Sequence, residues 1–195
     1  MARLDPSMGT LTSSHLTFVR ACLRNQAYRE ALLVIENDIH SFAPKEAPEA
    51  SLPCSSHHLS NRYITLASKL TTELKLAEVQ EYQLLCAMVY IGLRQWSAAQ
   101  HRLEHVLATP TTNSTNGMML EAYKKWLLVS LLANGKVGSL SKAANGSAIK
   151  TLKTAARPYE AIVEAFKLGN PSKLRAEIYE AQTVLEDVSR PALHI

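Results

Sequence analysis

Apolar residues recur at helical spacing along most of this chain, and twice they spell the same sentence. Thr17 to Ile39 reads TFVRACLRNQAYREALLVIENDI, and Leu84 to Leu107 reads LLCAMVYIGLRQWSAAQHRLEHVL. Each sets an apolar helix before a short polar turn, then places an aromatic residue and an alanine on the next helix: Tyr28 with Ala31, and Trp96 with Ala99. The two alanines lie 68 positions apart, twice the ~34-residue period of a tetratricopeptide repeat. A single helix–turn–helix of this kind cannot cover its own apolar face and must stack on neighbours.

The pattern predicts further elements. Thr12, Ser13 and Ser14 offer N-caps for a first helix reaching about Leu23. Tyr28, Ala31, Leu32, Ile35 and Ile39 make a second stripe. The prolines of 43–56 indicate a flexible loop. One stripe from Leu59 through Tyr63, Leu66, Ala67, Leu70 and Leu74 predicts a helix to about Ala77, and another through Val79, Tyr82, Cys86, Val89, Tyr90 and Leu93 predicts the next. Helices follow over Ser97–Ala108, from Met119 to a stop at Gly135, and over Ala148–Ala155. Another opens at Pro158 and stops at Gly169, and a last one starts at Pro171 with the stripe Leu174, Ile178, Ala181 and Leu185. No alternating run predicts a strand. The expectation is an all-α, tetratricopeptide-like helical-repeat solenoid. It comprises a disordered tail over 1–10, helical repeats over 11–135, a further helical region over 136–188 and a tail over 189–195.

Composition adds limits. The 195 residues carry a net charge of +4 and three cysteines. Cys22, Cys54 and Cys86 form no close pair, and no secretory signal precedes them, which points to a reducing compartment and unpaired thiols. Cys22 and Cys86 sit on apolar stripes, where cysteine behaves as a small hydrophobe. The longest uninterrupted apolar stretches, such as Trp126–Val129, are too short to span a bilayer. The sequons at Asn113 and Asn145 fall in loops and are read as chance matches.

Candidate chemistry is sparse. His101-Arg102-Leu103-Glu104-His105 matches H-x-x-E-H, the inverted zincin pattern. Two histidines four apart on a helix can share one zinc, but hydrolysis also needs a third ligand and an open position beside the glutamate base. Leu103 and Val106 must face the partner helix, so His101, Glu104 and His105 are expected on a solvated face, with no metal and no catalytic role. Cys54, His57 and His58 lack a second ligand pair and read as a polar loop. Glycine-rich phosphate loops and nucleophile elbows are missing from the sequence, so no cofactor is expected. Tyr28, Tyr90, Trp96 and Trp126 read as packing residues between helices.

The uneven charge is over 121–157, where Lys124, Lys125, Lys136, Lys142, Lys150, Lys153 and Arg157 face one acid, Glu121. A solvated face explains this most simply. As a partner-binding surface, represented by Lys124, Lys125, Lys150, Lys153 and Arg157, it suits acidic protein ahead of nucleic acid, because aromatic base-stacking platforms are missing.

The run NGMMLEAYKKWLLVSLLANGKV (Asn116–Val137) closely resembles the subunit-3 family of the COP-nine signalosome, as do LTSSHLTFVRACLRNQAYREAL (Leu11–Leu32), YIGLRQWSAA (Tyr90–Ala99) and LEHVLATP (Leu103–Pro110). The resemblance extends from about Leu11 to Glu177, and the loops at 43–56 and 110–116 look like a filamentous-fungal version. It implies a non-catalytic scaffold subunit of the complex that removes a ubiquitin-like modifier from cullin–RING ubiquitin ligases, acting in nucleus and cytoplasm. Its partners would be the other signalosome subunits, with no membrane. The family follows its repeats with a PCI winged-helix domain. By this resemblance 136–188 would be the helical start of a PCI-like region with its winged helix incomplete or absent, since the sequence after Pro158 is short for one, and a fragment or truncated form is expected. Competing readings are a subunit of a related PCI complex, such as the proteasome lid or a translation initiation factor, and a zinc hydrolase built on His101, Glu104 and His105.

Overall fold

The computed structural model describes residues 5, 8–45, 64–110, 115–140 and 144–189, with side chains as far as Ala181. Among them are eight helices: α1 (Ser13–Arg24), α2 (Tyr28–Ile35), α3 (Leu76–Gly92), α4 (Trp96–Ala108), α5 (Gly117–Asn134), α6 (Gly146–Ala155), α7 (Arg157–Lys167) and α8 (Pro171–Ser189). The all-α expectation holds. The chain divides into two compact units, Met1–Leu93 and Arg94–Ile195.

In the first unit α1 packs against both α2 and α3. Val19, Cys22, Ala31, Val34, Ile35, Tyr82, Cys86 and Val89 are buried along the contact. Their spacing by three and four residues puts each helix's apolar atoms on its inner face. Ala31 is fully buried, and the small side chain lets the helices approach. The bidentate pair of Arg20 on α1 with Glu81 on α3, at 2.8 and 2.6 Å, spans the rim.

The sequence missed two features of this unit. Thr10–Leu11 (β1) pairs in parallel with Ser41–Phe42 (β2), joining Thr10 to Ser41 and Leu11 to Phe42. A two-residue strand is too short for alternation to register. The pairing takes in Thr10, the last residue of the tail expected over 1–10, of which residues 1–4, 6 and 7 lie outside the described residues. Asp5 is buried and accepts the Thr10 backbone N–H at 2.9 Å, and His40 N–H bonds Gly9 C=O at 3.0 Å.

The helix expected from Leu59 to Ala77 is the second correction. Residues 59–63 lie outside the described residues, and 64–75 are turns and extended chain. Thr65 and Ser68 cap a single turn there by reciprocal side-chain bonds. Thr65 N–H bonds Ser68 Oγ, Ser68 N–H bonds Thr65 Oγ1, and Ser68 Oγ–H bonds Thr65 C=O. Lys69 then takes a left-handed φ of 59°. Of the stripe, Leu66 and Leu74 are half-buried and Ala67 and Leu70 exposed, while Ile64, which is not part of it, is buried outside any helix. The helix resumes at Leu76, where Glu78 accepts the Lys75 backbone N–H at 2.8 Å. The stripe read on to Ile39 also stops early, since α2 ends at Ile35. The proline loop at 43–56 lies outside the described residues beyond Lys45.

In the second unit α4 packs most extensively on α5, and α5 also meets α6 and α7. Ala99, Leu103, Val106 and Leu107 of α4 lie among Met119, Ala122, Tyr123, Trp126 and Leu127 of α5. Gly135 closes α5 at φ 67°, with its N–H on Leu131 C=O at 2.9 Å, in the left-handed conformation that glycine adopts without strain. Pro158 stands in the first turn of α7, where its missing N–H has no helical partner to lose. α8 packs on α7.

Candidate functional site

The H-x-x-E-H run lies on α4, and its three polar residues part company. His101 and His105 are exposed, while Glu104 is half-buried, contrary to the solvated position expected for it. The reason is α5. Trp126, itself 2% exposed, donates its indole N–H to Glu104 Oε1 at 3.1 Å. Gln100 Nε2 donates to the same oxygen at 3.1 Å, and Asn134 Nδ2 reaches Gln100 Oε1 at 2.9 Å. A polar ladder therefore ties α4 to α5, with the Glu104 carboxylate at its centre.

The two histidines face each other. His105 Nε2 lies 3.1 Å from His101 Nε2, and the rings meet edge to face with centroids 4.6 Å apart. Burial, and then the neighbouring His101 and Arg102, lower the His105 pKa against the opposing pull of Glu104. Among the described residues no group of three His, Cys, Asp or Glu side chains is placed to hold a metal ion. Cys54, His57 and His58 lie outside those residues.

The basic run divides in two. On α5, Lys124 and Lys125 reach back to Glu121 at 2.9 and 3.0 Å, and their side chains are only 14% and 20% exposed. Burial raises the Glu121 pKa, but the hydrogen bonds from both ammoniums outweigh it and hold the carboxyl below its usual value. Lys124 also sits over the Tyr159 ring, 5.8 Å from its centroid. Lys150 and Lys153 on α6, and Arg157 at the start of α7, are exposed. Buried Ala148 and Leu152 define the inner face of α6, so the two lysines project from the other side. The next acid, Glu160, is occupied: Tyr123 O–H donates to its Oε1 at 2.5 Å. The separating signal is legible in the sequence: Glu121 stands three and four residues before Lys124 and Lys125 on α5, whereas α6 carries no acid beside its lysines.

The aromatic residues are packing groups of unequal depth. Trp126 is buried and stacks with Tyr123 at 6.0 Å between centroids, while Tyr28 and Trp96 are half-buried. Cys22 and Cys86 are buried, and burial raises the Cys22 pKa. No helix among the described residues is long and apolar enough to cross a membrane.

The structure thus defines a class: paired helices with small residues at their contacts, whose polar constellations tie helices together. The family model described as the N-terminal helical repeats of COP9 signalosome complex subunit 3 matches residues 1–147, and the chain belongs to that family. COP9 signalosome complex subunit 3 of Emericella nidulans is 32% identical over 179 residues, covering 90% of this chain and 36% of the relative. The subunit 3 of Neurospora crassa is 33% identical over 168 residues, covering 86% and 34%. That of Dictyostelium discoideum is 22% identical over 161 residues, covering 83% and 32%. The chain spans about a third of the length of the curated relatives it matches.

Proposed function

We propose that this chain serves as the helical-repeat portion of a scaffold subunit in a COP9-type signalosome, with no catalytic step of its own. The observation that carries the reading is the family match over residues 1–147, on a fold whose would-be base, Glu104, is bonded by Trp126. As the resemblance implies, the complex would remove a ubiquitin-like modifier from cullin–RING ligases in nucleus and cytoplasm, and its chemistry would reside in another subunit.

The docking surface within this reading is the exposed cationic ridge of Lys150, Lys153 and Arg157. Lys124 and Lys125 support the fold behind it through Glu121. Three cations with no free acid between them suit a carboxylate-rich protein segment, by charge complementarity that steers association. Co-expression with the other subunits of the source organism, followed by size exclusion, tests the function: co-elution in a multi-subunit peak is expected, and elution apart from every subunit overturns it. Lys150→Glu with Lys153→Glu should weaken that association, and more at low salt than at high.

A further inference from the structure

We propose that His101 and His105 form a two-histidine chelate for a borderline divalent ion, zinc or copper(II), on the exposed face of α4. Their mutual geometry goes beyond a solvated face. Imidazole nitrogens bind such ions at about 2.0–2.1 Å, so two of them on one ion stand about 2.8–3.4 Å apart, between a square and a tetrahedral angle. The Nε2 atoms of His101 and His105 are 3.1 Å apart. The i, i+4 spacing on a continuous helix supplies that separation without rearrangement, and both side chains are exposed, so an ion reaches them from solvent. The remaining coordination positions fall to water.

The chelate is structural, not hydrolytic. Glu104, which would be the base, has Oε1 occupied by Trp126 Nε1 and Gln100 Nε2 at 3.1 Å each. No third protein ligand joins the pair among the described residues. A bound ion would clamp two successive turns of α4 and stabilise the folded unit by mass action.

The test titrates zinc chloride and copper(II) chloride, each alone, into the purified untagged chain, its His101→Ala and His105→Ala variants, and a Cys54→Ser, His57→Ala, His58→Ala variant. Calorimetry gives stoichiometry and affinity, and copper electron paramagnetic resonance reports nitrogen ligands. Copper should bind more tightly than zinc. Each α4 variant should bind at least about tenfold more weakly, a change of about 1.4 kcal/mol, and the loop variant should bind as the parent does. Saturating metal should raise the melting temperature of the parent but not of His101→Ala. Because both residues are exposed, circular dichroism should find the α4 variants folded. Equal affinity in the parent and His101→Ala, or loss confined to the loop variant, overturns the proposal.

Discussion

Glu104 and Trp126 are the hinge between what the sequence suggested and what the fold does. The indole N–H of a buried tryptophan on α5 holds the carboxylate of α4 at 3.1 Å, and the same carboxylate would have been the base of a metallohydrolase. Trp126→Ala should destabilise the second unit by about 3–5 kcal/mol, as truncation of a buried tryptophan does. Trp96→Ala should cost clearly less, because Trp96 is half-exposed. Urea unfolding of the two variants compares them directly, and a larger loss at Trp96 would reverse the assignment.

Tyr28 and Gly92 make a second inter-helix contact. A Cβ at Gly92 would stand 2.9 Å from Tyr28 Cζ, too close for the ring to remain in place. Alanine in a helix interior usually gains about 1 kcal/mol over glycine. Here Gly92→Ala should instead lower stability, with overpacking of about 1–3 kcal/mol outweighing propensity. Adding Tyr28→Leu should recover part of the loss, read as coupling in a double-mutant cycle.

His15 predicts acid sensitivity in the first unit. Its ring is buried, and Nδ1 lies 3.2 Å from the Thr12 backbone N–H and 2.8 Å from Thr12 Oγ1. Burial lowers the pKa from 6.5, against the opposing charge of Asp5. Tyr82 meets the ring edge-on. Because the folded pKa is depressed, the unfolded chain takes up the proton first. The His15 contribution is therefore complete above about pH 6.5, falls as pH drops below it, and is gone below the lowered folded value. His15→Gln keeps an acceptor at this capping position and should flatten that part of the stability–pH profile. An unchanged slope would remove His15 as its source.

Two tyrosines should respond unequally to loss of their hydroxyl. Tyr123 O–H donates to Glu160, and burial, then that bond and charge, push its pKa far up. Tyr123→Phe should cost about 1–3 kcal/mol, the range of a hydrogen bond to a charged group. Tyr159 is buried and its hydroxyl has no partner among the described residues, so Tyr159→Phe should fall within about 0.5 kcal/mol of the parent. Thermal melts of the pair at neutral pH check the contrast.

Periodicity alone determined the helical class and most helix limits. Apolar residues three and four apart leave few other ways to cover an apolar face, and Thr12, Gly135 and Pro158 mark ends by local backbone chemistry that distance along the chain does not alter. The repeat phrasing also identified Ala31 and Ala99, both fully buried. What periodicity could not weigh was competition. The stripe around Leu66 and Leu70 has helical spacing, yet the turn that Thr65 and Ser68 cap ends at Lys69 in a left-handed φ of 59°, and β1 and β2 join residues 31 positions apart. The candidate sites depended still more on tertiary structure. Which partner the Glu104 carboxylate takes depends on the side chain that the neighbouring helix brings to it, here the indole of Trp126 at 3.1 Å. Spacing along one helix placed His101 beside His105, but only the packing of α5 on α4 gave Glu104 to Trp126 and left the two histidines to solvent.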